Sequence, residues 1–186
     1  NKKDITEFLI TKGCKIDIID VDGRSILFTP IKFNYIDILE LLLHFNDTVI
    51  GISLTDIQDN SGNTALHYSI IFDNLKAFDL LLKKNSNILI KDNNFDDSLH
   101  LAVLYKRKDI LEKLLKLDNI DINSVNNIGE SVLHYACNFN ENEIAEILIK
   151  SNINVNIQEY QNNFTALIYC INLNNNYLVK KLIPNS

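Results

Sequence analysis

The sequence predicts an all-α fold: a solenoid of repeated helix–turn–helix units. Two columns of leucine carry that prediction. Leu27, Leu66, Leu99, Leu133 and Leu167 lie 39, 33, 34 and 34 residues apart. Each sits in a near-copy of one tetrapeptide: Ser25-Ile26-Leu27-Phe28, Thr64-Ala65-Leu66-His67, Asp97-Ser98-Leu99-His100, Ser131-Val132-Leu133-His134 and Thr165-Ala166-Leu167-Ile168. The second column, Leu9, Leu42, Leu81, Leu114, Leu148 and Leu182, repeats at 33, 39, 33, 34 and 34. A period near 33 is that of one supersecondary unit stacked on its neighbours. Such a stack offers an extended surface rather than a closed pocket.

Taken in order, residues 1–19 form a half unit with the helix that carries Leu9. Units of about 20–58, 59–91, 92–125, 126–158 and 159–186 follow, giving about five and a half repeats in one domain. In each, the first helix starts near the tetrapeptide and the second ends near the second leucine. Ile38/Leu41/Leu42 and Ile144/Ile147/Leu148 show the i, i+3, i+4 spacing of a helix with one apolar face. Asn34, Asp73, Lys106, Asn140 and Asn174 separate the two helices, and Asn and Asp suit a tight turn because they tolerate left-handed backbone. Between units, Asp20-Val21-Asp22-Gly23, Asp59-Asn60-Ser61-Gly62 and Asn126-Asn127-Ile128-Gly129 read as hairpin-like turns whose glycine needs positive φ.

Composition narrows the function. Hydrophobic residues make up 46% and charged residues 23% of 186, as in a folded globular chain. The net charge of −6 argues against a general phosphate-binding role. No apolar run is long enough to cross a bilayer, and no signal-peptide pattern opens the sequence. Cys14, Cys137 and Cys170 are too few and too scattered for a disulfide framework. Cys137 and Cys170 occupy small-residue positions, where a free thiol packs like a large alanine. A reducing, cytoplasmic setting follows. The chain contains no Met and opens in the middle of a unit, so it is expected to be a piece of a longer protein. Its Asn, Ile and Lys bias suggests an AT-rich genome, as in a parasite, an intracellular bacterium or a large virus, which allows delivery into a host cell.

With their flanks, the tetrapeptides resemble ankyrin repeats, whose pattern is Asp-x-x-Gly-x-Thr-Pro-Leu-His-x-Ala, a second helix, and a closing Gly-Ala-x-Val-Asn. Asp59 to His67 is the best copy, and Asn126 to His134 is nearly as good. Ile122-Asn123 and Val155-Asn156 match the closing Val-Asn, and Gly13-Cys14 the closing Gly-Ala. Departures are equally specific. About six extra residues fall within 46–58, expected as an extended loop. One extra residue falls within 159–164. Phe95 replaces a turn glycine, and Phe28 and Ile168 replace the histidine.

The resemblance implies a non-catalytic scaffold that binds a partner protein, or another domain of its parent chain, through a concave helical face and the hairpin tips. The alternative is a regulatory or substrate-recruiting segment of a larger enzyme or channel. A monomer is expected, with no cofactor, no nucleic acid and no membrane insertion. Candidate contact residues are the column Phe33, Phe72, Tyr105 and Phe139 with the adjoining Ile71 and Leu104, because aromatics dominate interface hot spots. The same rings could instead fold back into the core. Phe95 and Tyr160 are the apolar exceptions among polar hairpin tips. Asn123 and Asn156 resemble ankyrin asparagines that become hydroxylated.

No phosphate loop, nucleophile elbow or Cys-x-x-Cys is present, and no catalytic residue is assigned. His67, His100 and His134 recur one unit apart, roughly 10 Å by helix packing. Zinc–nitrogen bonds of about 2.0–2.1 Å do not let one ion bridge them. The resemblance gives this histidine a local hydrogen-bonding role at the hairpin. Asp96-Asp97 reads as solvated or helix-capping. Lys106-Arg107-Lys108 reads as solvated surface near a helix C-terminus.

Overall fold

A computed structural model describes residues 2–46 and 53–183. They divide into two compact units, residues 1–93 and 94–186. The first contains α1 (Lys2–Thr11), α2 (Phe28–Lys32), α3 (Ile36–Asn46), α4 (Ala65–Ile71) and α5 (Leu75–Lys83). The second contains α6 (Ser98–Leu104), α7 (Lys108–Leu114), α8 (Val132–Asn138), α9 (Asn142–Lys150), α10 (Ala166–Asn172) and α11 (Asn176–Leu182). The described residues form no extended sheet. Isolated bridges Ile19–Ser25, Val125–Ser131 and Gln158–Thr165 close the necks of three hairpins.

Helix starts follow local chemistry. Thr64 enters α4 in extended backbone, and its hydroxyl accepts from the His67 N–H at 3.3 Å. Asp97 does the same for α6, accepting from the N–H groups of Leu99 and His100. Asn74 and Asn175 cap α5 and α11 through the N–H groups of Ala77 and Leu178, both at 3.0 Å. Each cap satisfies backbone donors that the helix itself cannot.

The helix–helix turn is the same in all five places. Asn34, Asp73, Lys106, Asn140 and Asn174 have φ between 54° and 60°. The next residue's N–H then returns to a carbonyl five residues back. These bonds, from Tyr35 to Pro30, Asn74 to Ser69, Arg107 to Ala102, Glu141 to Ala136 and Asn175 to Cys170, measure 2.7–2.8 Å. They satisfy terminal carbonyls of the first helix, as a Schellman-type closure does.

Packing repeats with the sequence. In the first unit α2 packs on α3 and α4, α4 on α5, and α1 and α5 on α3. In the second, α6 packs on α7 and α8, α8 on α9 and α10, and α11 on α9 and α10. Leu27, Leu66, Leu99 and Leu133 are fully buried, as are Leu42, Leu81, Leu114 and Leu148. Two expectations need correction. Leu9 is 46% exposed because α1 buries none of its residues. Leu167, in the last repeat, is only half-buried.

The hairpin tips are also coupled. In the first unit the Asn60 N–H donates to the Asp22 carbonyl at 2.9 Å, and Asn93 to Ser61 at 3.0 Å. In the second, Asn127 donates to Asn94 at 2.9 Å and Tyr160 to Ile128 at 2.8 Å. Gly62 has φ +83°, and a Cβ there would stand 2.6 Å from the Asn93 backbone nitrogen. Close approach and left-handed backbone together require glycine. Most hairpins close four residues apart, as in Asp59 N–H to Asn63 carbonyl. The 159–164 hairpin closes from Glu159 to Phe164, five apart, accommodating its extra residue. Of the expected extended loop, residues 47–52 lie outside the described residues. Its described end tucks Leu54 and Thr55 into the core.

Candidate partner-binding surfaces

Each first helix ends on the aromatic column. Phe33, Phe72, Tyr105, Phe139 and Leu173 are the C-cap residues of α2, α4, α6, α8 and α10. Because the next residue is left-handed, these side chains stand at the helix end instead of in the core. Phe33 and Leu173 are about half exposed, and Tyr105 and Phe139 are 37% and 40% exposed. Phe72 is half-buried, as are Ile71 and Leu104. The column therefore lies at the surface, with Phe72 drawn in furthest.

In the first unit the rings make a connected patch. Phe28 meets Tyr68 edge-on at 4.6 Å and Phe72 at 5.8 Å, and Tyr68 stacks on Phe72. The Lys32 ammonium stands 5.6–5.9 Å from the rings of Phe28, Phe33 and Phe72. In the second unit Tyr135 meets Phe139 edge-on at 5.9 Å.

A tyrosine column that was not singled out from the sequence holds helices to hairpins. The Tyr68 hydroxyl donates to Asp59. Tyr135 donates to Asp96 at 2.9 Å and accepts from the Asn126 amide at 3.1 Å. Tyr169 donates to Glu130 at 2.7 Å. Burial and the neighbouring carboxylates push all three phenols well above their ordinary range. Asp96 is thus buried and hydrogen-bonded, not solvated; Asp97 is the cap. The legible signal was the shared position two residues after each leucine.

The histidines reach further than a local role implies. The His67 Nδ1 accepts from Thr64 N–H at 3.3 Å, and its Nε2 donates to the Ile90 carbonyl at 3.1 Å. His134 accepts from Ser131 N–H at Nδ1, 3.1 Å, and donates from Nε2 to the Phe164 carbonyl, 3.1 Å. Those contacts suit a neutral ring with its proton on Nε2. His100 differs. Its Nε2 donates to the Glu130 carbonyl at 3.2 Å, but its Nδ1 faces the Asp97 carboxylate at 2.8 Å. With both nitrogens facing acceptors, these contacts favour the doubly protonated, cationic form of this buried imidazole. Burial opposes that charge, and Asp97 outweighs it, raising the His100 pKa. In return His100 overcomes the burial penalty on Asp97 and holds its carboxyl at about 2. His134 has no such carboxylate on Nδ1, and burial lowers its pKa. No cluster of three or more His, Cys, Asp or Glu able to hold a metal occurs among the described residues.

The tips separate into two kinds. Asn126 and Glu159 are buried and organise their own turns: Asn126 accepts from the N–H groups of Ile128 and Glu130. Burial works against charge on Glu159, yet the N–H groups of Gln161, Phe164 and Asn162 hold its carboxyl below its ordinary range. Phe95 and Tyr160 point outward, at 59% and 66% exposed. The Tyr160 ring covers Gly129, where an added Cβ would come within 2.6 Å of it. Phe95 stands in the glycine column and takes φ +64°, alongside +79° at Gly23, +83° at Gly62 and +84° at Gly129.

Elsewhere, Lys106 and Lys108 pair with Glu141 and Glu143 at 2.6 and 3.0 Å, so this basic cluster is largely neutralised. Asn123 is exposed; its N–H donates to Asp121, and its side-chain oxygen accepts from Asn154 N–H at 2.8 Å. Asn156 is exposed as well, its N–H donating to Asn154. No described helix is long and apolar enough to cross a membrane.

Compared with known proteins, residues 1–92 and residues 99–186 match a family model described as ankyrin repeats (3 copies). The chain is 34% identical over 183 residues, 98% of its length, to a protein of Acanthamoeba polyphaga mimivirus named as an ankyrin repeat protein, L371. It spans 24% of that relative's length.

Proposed function

The chain belongs to the ankyrin repeat family, and we propose that it is a non-catalytic scaffold that holds a partner protein, or another domain of its parent chain, on the first-helix face and hairpin tips. Ankyrin repeats are generally protein-interaction modules and generally non-enzymatic. The contact set is Phe33, Ile71 and Phe72 in the first unit and Phe95, Leu104, Tyr105, Phe139 and Tyr160 in the second. Within each unit these residues act as a preformed surface that changes little on binding.

One observation carries this reading. Phe95 holds a left-handed backbone that costs a side-chain-bearing residue about 1–2 kcal/mol, yet its ring remains 59% exposed. A bulky residue kept in strained backbone with little internal contact to offset the strain points to a role outside the fold. Tyr160 adds a second exposed ring, on the 159–164 hairpin. The net charge of −6 and the carboxylate partners of Lys106 and Lys108 favour a protein over a nucleic acid. The mimivirus relative supports action inside an infected host cell, in a reducing compartment.

The test is quantitative capture from an amoebal lysate. The intact chain is compared with the Phe95→Ala/Tyr160→Ala variant, with circular dichroism to verify folding. A specific band that weakens at least about tenfold with the variant, the loss of roughly 1.4 kcal/mol, supports the surface. Equal capture by both removes these rings from it. Asn123 and Asn156 are proposed as hydroxylation sites, for which the intact mass of chain isolated from host cells must rise by one oxygen per site.

A further inference from the structure

Cys137 and Cys170 lie 33 residues apart in sequence, and the second unit brings them together. Both are free thiols, fully buried, on α8 and α10, which pack on one another. Cys170 falls in the column of Ala102 and Ala136, three residues after each repeat leucine, and Cys137 falls in the next column, with Val103. The two sulfurs share a hydrogen bond across the α8–α10 interface. One repeat earlier the same two positions hold Val103 and Ala136, both fully buried. A larger and a smaller apolar side chain therefore suffice to fill this space. Two thiols in contact add a chemistry that packing does not require.

We infer that Cys137 and Cys170 are a modification site: a dithiol that a peroxide converts reversibly to a disulfide, locking α8 to α10. The inference is independent of the partner-binding reading of the tips. The small side chains of Ala136 and Cys170 let the two helices approach closely, as a disulfide requires. In a reducing compartment such a pair rests as the dithiol and oxidises transiently.

The pair is chemically asymmetric. The hydrogen bond with Cys170, and then burial, push the Cys137 thiol up. The Cys137 S–H in turn holds the Cys170 thiol below its ordinary range, against burial. Cys170 thus gives up its proton first and is the nucleophile. Access favours it as well. Among the residues of α10 only Ala166 and Cys170 are buried, whereas α8 buries Val132, Leu133, His134 and Ala136 beside Cys137. Local opening of α10 exposes Cys170 at lower cost than opening α8. The Cys170 thiolate attacks one oxygen of hydrogen peroxide, the O–O bond breaks, and the other oxygen leaves as hydroxide and takes a proton to become water. Cys170 is then a sulfenic acid. The Cys137 sulfur attacks the Cys170 sulfur, the S–O bond breaks, and the thiol proton leaves with the hydroxide as a second water. Two electrons pass from the two sulfurs to one peroxide. A thiol reductant restores the dithiol by exchange.

The test treats the intact folded chain, carrying Cys14→Ser to remove the exposed third thiol, with hydrogen peroxide. Alkylation in denaturant and trypsin digestion without reductant follow. Cleavage after Lys116, Lys150 and Lys180 places Cys137 in 117–150 and Cys170 in 151–180. The expected product is these two peptides joined, two hydrogens lighter than their sum, and separated by dithiothreitol. The oxidised chain should melt at least about 4 °C above the reduced one. Cys137→Val recreates the Val103–Ala136 kind of packing and should leave Cys170 as a sulfenic acid that dimedone traps. Cys170→Ala should slow oxidation of Cys137 at least about tenfold. Unlinked peptides from the folded, peroxide-treated chain overturn the proposal, whether the thiols stay free or each gains oxygen. So does a link that forms only in urea, or a melting midpoint that falls on oxidation.

Discussion

The Nε2 of His134 donates to the carbonyl of Phe164 at 3.1 Å, thirty residues along the chain. The histidine that holds its own helix start through Nδ1 thereby also holds the neck of the following hairpin. His100 makes the same reach to Glu130, but with Asp97 where His134 has Ser131. One exchange at the cap position moves the ring's pKa in the opposite direction and keeps the reach to the next hairpin.

The two rings should titrate in opposite senses. In proton NMR, His100 should show a midpoint above 6.5 and His134 one below it. For stability the signs also oppose. The contribution from the raised His100 is complete below about pH 6.5 and is lost as pH climbs through its folded midpoint. Its partner Asp97, held at about 2 against an ordinary 3.8, contributes above 3.8 and loses that contribution as pH falls toward 2. The neutral His134 contributes above 6.5 and loses it as pH falls through its lowered midpoint. Asp97→Ser should bring the His100 midpoint down. A His100 midpoint below that of His134 in the unmodified chain would contradict the assignment.

Two leucines of the same repeat pattern should respond very differently to truncation. Leu133 is fully buried, and Leu133→Ala should cost about 2–5 kcal/mol in urea unfolding. Leu9 is 46% exposed, and Leu9→Ala should cost less than about 1 kcal/mol. Equal losses would mean that α1 is packed as tightly as the later second helices.

That contrast marks where the sequence was legible. The leucine period located the helices, and the turn column found the left-handed residue of each of the five helix–helix turns, even Lys106, but not Asn85, Asn152 or Asn163. Periodicity reports the position a residue holds in a repeat. It does not report whether the neighbour that would cover it is present, so Leu9 matched the pattern and stayed exposed. Charge was also hidden. The Asp97–His100 spacing matches an ordinary cap, and the preference for a charged ring follows only once Glu130 is seen to take the other nitrogen. The aromatic column could not be placed from spacing alone, because a C-cap ring lies within reach of both core and surface. Its exposure depends on the left-handed turn that follows it.

Phe95→Gly puts the partner-binding account to its most direct test. Glycine removes the left-handed strain and the exposed ring together. The account predicts that unfolding stability rises by about 1 kcal/mol, while capture of the partner falls at least about tenfold. Stability that rises with capture unchanged would make Phe95 a tolerated defect of the fold and contradict its role as a contact.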